Sequence, residues 1–443
     1  ITIDVADNKT LTYSGAALSL GANTLTLSGE GRLSNTYVLG LNNASSKLLL
    51  SSSITVDRVS TSLASLGLDV DGDSTVTSLS VGHTTPVSIA SGKTLSGAIT
   101  LTAGSIKLDE AGTLASSVSM SGGTLDADES MTVSGTLSHT ADNTIDVATG
   151  KTLTYSGAAI SLGAYTLELR GEGRLSNSNA LVLNNASSKL QLSGPITVDS
   201  VSTSLASSGL DVNANSTVSS LTVGHTTPVA IASGKTLSGA ITVTAGSMKL
   251  GEAGTLGSTV SMSGGTLDVD ETLTLSGALS HTDDITIDVA DTKTLTYTGT
   301  AVSLGAKTLT LSGGGTFSNT NALVLNDASS KLLLNLITVG KVSTSLANSG
   351  LDVDANSTVT SLTVGHTTPV SIASGITLSG AITVTAGSIR LDEAGTLGAD
   401  VSMSGGTLDA DETLTLSGAL SHTADITIDV KAGEVLTYSG AAV

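Results

Sequence analysis

The sequence predicts an all-β fold: a single-stranded parallel β-helix, or β-solenoid, with about 20 residues per coil. Three observations predict it. Apolar and hydroxyl residues alternate with period two, as in Thr24-Leu25-Thr26-Leu27 and Ile241-Thr242-Val243-Thr244, which marks strands buried on one face. Such phrases recur at short intervals, separated by Gly, Asn, Asp and Ser, the residues that favour turns. Finally, the whole pattern returns after about 142 residues.

The long repeat is read from fixed landmarks. "LTYSG" or "LTYTG" places its tyrosine at Tyr13, Tyr155, Tyr297 and Tyr438, in steps of 142, 142 and 141. "GHTTPV" sets His83, His225 and His366, and "SHT" sets His139, His281 and His422, so all six histidines belong to the repeat. The one-residue shortening falls where "LLLSSSITV" (48–56) becomes "LLLNLITV" (332–339). One continuous solenoid over 1–443 is expected, made of copies 1–142, 143–284 and 285–425 and a partial fourth at 426–443.

Within a copy the strand phrases follow in order: "KTLTYSG" (9), "NTLTLSG" (23), "SKLLLSS" (46), "STVTSLSVG" (74), "KTLSGAITL" (93), "GTLASSVSM" (112) and "ESMTVSGTL" (129). Their starts lie 14 to 28 residues apart, so each copy holds seven coils of about 20 residues. About 22 coils stacked about 4.8 Å apart give a long rod on the order of 100 Å. No stretch carries an apolar helical face over twelve residues, so helix is not expected. An antiparallel sandwich needs bulky filling side chains and two-residue hairpins. The chain has no Trp, one Phe, six Tyr and no Asn-Gly turn.

Composition bounds the function. With 18 Lys plus Arg against 38 Asp plus Glu, the net charge of −20 repels nucleic acid and anionic lipid. The absence of Cys excludes a disulfide scaffold and thiolate metal sites. No apolar run reaches 18 residues, so membrane insertion as a helix is not expected. Beginning at Ile1 and breaking off at "LTYSGAAV", the sequence reads as part of a longer mature protein.

"LSGGGTFSN" (311–319) and "ITVTAGSMKLGEAGTLG" (241–257) resemble the glycine-rich passenger repeats of bacterial autotransporters and giant repetitive surface adhesins. In that family a T-L-x-L-x-G strand is followed by a turn and a V-x-A-G-x-L-x-L strand. The resemblance implies a right-handed β-helical stalk or fibre, secreted and held at the bacterial surface.

Two acidic stretches are candidates for metal binding. "LDVDGDSTV" (68–76) suggests a calcium loop, but counting from Asp69 puts Gly72 at position 4, Ser74 at 6 and Ser80 at 12, where a Glu is needed. The other copies read "LDVNANSTV" and "LDVDANSTV", so the stretch is expected to be a turn. The better candidate is "SGGTLDADE", which keeps Asp126, Asp128 and Glu129; Asp268, Asp270 and Glu271; and Asp409, Asp411 and Glu412. The two aspartates of each set share an outer face about 7 Å apart and could hold calcium with a neighbouring coil or chain. No other cofactor is expected.

Carboxylates present three times in a nearly aromatic-free chain do not form a unique catalytic cleft, and no enzyme is expected. Thr pairs such as Thr24 and Thr26 raise ice binding, which requires one uniform hydroxyl face. What remains is a structural role: an extracellular stalk or filament segment whose copies associate end to end or laterally. An adhesin would instead show a surface patch unique to one copy.

Overall fold

The computed structural model describes residues 1–441. Among them every regular element is a strand, and every strand pairing is parallel. The chain divides into two compact units, Ile1–Leu221 and Thr222–Val443, and each is a β-solenoid of eleven turns. In the first unit one sheet stacks eleven strands from Thr2–Asp4 to Gly209–Val212. In the second it stacks eleven from Thr227–Ile231 to Thr427–Val430. Each turn then contributes a second strand, or two short ones, to a separate set with its own parallel ladder.

The step between turns is more even than the phrase spacing suggested. Leu68 pairs with Val87 across one of the shorter turns, and Thr2 pairs with Thr26 across one only slightly longer. The irregular spacing of the phrases arises because they sit on different sheets. Thr24–Ser28 and Lys47–Leu50 belong to the first sheet, whereas Thr10–Tyr13 and Ser74–Val81 belong to the second. Each of the seven phrases nevertheless falls on its own turn, so seven turns per copy stands.

The core is a set of stacked columns. Leu25 and Leu27 lie in register with Leu48 and Leu50, and these with Leu68 and Val70, all nearly inaccessible to solvent. Period-two alternation produces this directly, because each inward residue meets the equivalent residue of the next turn. The largest buried side chains are Tyr155, Tyr297 and Phe317. Tyr297 stacks on Phe317 with ring centroids 6.1 Å apart, and its hydroxyl receives the Leu279 N–H at 3.1 Å and donates to the Thr300 carbonyl at 2.6 Å. Tyrosine is admitted to so thin a core because its polar end finds backbone partners.

Two local features follow from chain stereochemistry. Gly97 has φ +120° and a Cβ there would lie 1.8 Å from the Val76 carbonyl oxygen, so the close approach of the two turns requires glycine. The residue missing from the third copy is absorbed at Leu336, which takes φ +53° and is exposed.

Candidate functional site

The acidic sets form on the outer face of the first sheet. Strands Ser105–Leu108, Thr124–Ala127, Asn143–Val147 and Thr166–Gly171 stack in register, which aligns Lys107, Asp126, Asp146 and Arg170 in one column. The ammonium of Lys107 lies 3.4 Å from Asp126 Oδ2 and 3.6 Å from Asp128 Oδ2. Arg170 Nε closes the far end on Asp146 Oδ2 at 2.7 Å. Glu129 is taken by Lys151, from the next turn, at 2.6 Å.

In the second copy Lys249 meets Asp268 at 2.7 Å and Lys293 meets Glu271 at 2.7 Å; Asp270 lies beside them and acts on Lys249 through space. The cation between the carboxylates in these two copies is therefore a lysine of this chain.

Electrostatics follow the geometry. Burial, then Asp128, pushes the Asp126 carboxyl above the usual carboxylate range, against the opposing pull of Lys107. Lys107 is raised in turn by Asp126 and Asp128. The third copy is arranged differently. Arg390 turns to Asp392, binding it through Nε at 2.8 Å and Nη2 at 3.0 Å, and approaches Asp411 only at 3.6 Å. Asp409, in register between Arg390 and Asp429, is raised by burial and then by Asp411 and Asp429. Glu412 has Lys431 at 4.0 Å, because Glu434 stands where the earlier copies carry Lys151 and Lys293.

Among the described residues no three or more acidic or histidine side chains converge to hold a metal ion.

"LDVDGDSTV" proves to be a set of ties between turns. Asp69 pairs with Lys47, and its counterparts Asp211 and Asp352 pair with Lys189 and Lys331. Asp73 accepts the Thr94 N–H at 2.9 Å, and Asn356 accepts the Thr377 N–H at 2.8 Å. Either side chain offers the oxygen that this bond needs, which explains the exchange of Asp for Asn.

The histidines divide into two groups. The carbonyls of His83, His225 and His366 each accept a threonine hydroxyl two residues on, at 2.9, 2.9 and 3.0 Å, so these residues serve the turn through their backbone. His139 lies in register with Met120 and has both ring nitrogens buried without a partner, and burial lowers it to about 4.

Sequence reasoning missed the basic partners. Their signal is a fixed offset, since Lys107, Lys249 and Arg390 each stand one turn of the coil before Asp126, Asp268 and Asp409, at the same spacing in every copy. It also missed Arg32, which binds Asp57 through Nη2 at 2.7 Å, and Arg174, which binds Asp199 at 2.7 Å. In the third copy both partners change together, to Thr316 and Gly340.

The sequence matches no protein-family model, no curated protein and no solved structure.

Proposed function

We propose that the chain is a structural β-solenoid segment of a repetitive bacterial surface or matrix protein, a stalk or filament-forming spacer that acts outside the cell. One observation carries the reading: the same tie between turns, Lys47–Asp69, Lys189–Asp211 and Lys331–Asp352, is made in each copy over the same buried columns. Stability in stacked repeats is close to additive, so each copy extends the solenoid without adding new chemistry. The outward acidic surface keeps such segments in solution, and joining them end to end or side by side into fibres is part of the proposal. The outward row Ser105, Thr124, Thr144 is interrupted by Glu168 and Gln191, which supports a spacer over an ice-ordering face.

Negative-stain electron microscopy of the chain, with and without a calcium chelator, tests the reading. Elongated particles unchanged by chelator are expected. Compact globules would overturn the proposal, and particles that separate in chelator would make the acidic sets cation sites.

A further inference from the structure

Apart from the one residue missing from the third copy the copies align, so a position where they differ is one whose residue the solenoid itself does not fix. In the first copy Tyr37, Val38 and Arg58 stand where the second has Asn179, Ala180 and Ser200 and the third has Asn321, Ala322 and Lys341. The fold brings two of these departures together. Val38 and Arg58 line one cavity of about 440 Å³, with Thr77, Ser78 and Ser80 on its other side. Ser78 lies in register with Arg58 on the adjacent turn, and Tyr37, next to Val38, is 55 % exposed.

The substitutions do not serve the coil. Asn179 and Asn321 donate from Nδ2 to the carbonyls of Gly157 and Gly299 at 2.8 Å, a tie between turns for which Tyr37 has no side-chain amide. The guanidinium is also available. Asp57, the carboxylate beside it in the cavity, already receives Arg32 Nε at 2.9 Å and Ser34 Oγ at 2.8 Å, and among the described residues no carboxylate pairs with Arg58. Its counterpart Lys341 is folded back onto the Thr320 carbonyl at 3.0 Å.

We propose that this cavity binds a carboxylate-bearing sugar. A guanidinium receives a carboxylate through two parallel hydrogen bonds. Thr77, Ser78 and Ser80 exchange hydrogen bonds with ring hydroxyls, and the exposed Val38 offers an apolar face to the ring. The net charge of −20 opposes a dense polyanion such as nucleic acid, but a single carboxylate on an otherwise neutral ring meets far less of it.

The test titrates the full chain at low ionic strength with methyl glucuronide, methyl glucoside and inorganic sulfate, read by saturation-transfer NMR. Glucuronide is expected to bind, with glucoside about tenfold weaker or worse. Arg58→Ser and Val38→Ala, which install residues the second copy already carries, are each expected to weaken glucuronide about tenfold with an unchanged melting curve. No glucuronide binding, equal binding of glucoside, full competition by sulfate, or binding that survives either substitution would overturn the assignment.

Discussion

Replacing Thr292 with glycine should stabilise the solenoid, although it removes a side chain. Thr292 is the third residue of a reverse turn closed by the Lys293 N–H on the Ala290 carbonyl at 3.0 Å, and its φ is +64°. The equivalent positions are Asn8 at +57°, Gly150 at +71° and Gly433 at +96°, so the turn imposes the left-handed region whatever residue it holds. A non-glycine residue there costs about 1–2 kcal/mol, and glycine loses about 0.5–1 kcal/mol more backbone entropy on folding. Thr292 is exposed, and a Cβ added at Gly150 or Gly433 meets nothing within 4 Å, so no packing offsets the difference. The net gain is about 0.5–1 kcal/mol, or roughly two- to fivefold in a local opening equilibrium. Each turn contacts only its neighbours, so the change is most directly read by hydrogen exchange in the flanking strands Ile285–Val289 and Thr294–Tyr297. Gly150→Thr should speed exchange in its own copy by a similar factor, and Gly150→Asn by less. Unchanged or faster exchange in T292G, or a neutral G150T, would refute the assignment of strain to the backbone.

Three further outcomes are expected. Asp57→Gly should cost about 1 kcal/mol in urea denaturation, and adding Arg32→Thr should cost little more, because the half-exposed pair is already lost; two fully additive losses would mean that the pair is not coupled. His139 is held at about 4 when folded against 6.5 unfolded, so the unfolded chain takes up the proton first; the stability present above pH 6.5 should fall by about 2–3 kcal/mol on acidification to pH 4, and H139M should flatten that slope. Asp409 has the opposite sign: its folded carboxyl is raised, so stability is greatest with the group protonated and is lost as pH rises. Asp409→Asn should therefore raise the melting temperature at pH 7, with the two curves converging at about pH 4, and a lower melting temperature at pH 7 would show that Asp409 holds a favourable tie.

The fold class, the seven turns per copy and the inward columns were all legible in the order of the residues. Each follows from a local rule: alternation of period two sets which residues face inward, and a recurring Leu68, Val70, Val76 pattern stacks like upon like. The turn within "LDVDGDSTV" was legible too, because the copies exchange Asp73 for Asn215 and Asn356, although it is confined to Asp71, Gly72 and Asp73 between the strands Gly67–Val70 and Ser74–Val81. What the outward side chains do emerged only once the turns were stacked. Lys107 reaches Asp126, Arg32 reaches Asp57, and Arg58 joins Val38, each across a full turn of chain. The register that aligns them depends on the length of each turn, which differs between the Thr2–Thr26 and Leu68–Val87 steps with no local signal. Inward positions tolerate a shift of two residues, since neighbouring columns are all apolar, whereas an ion pair displaced by two residues loses its partner.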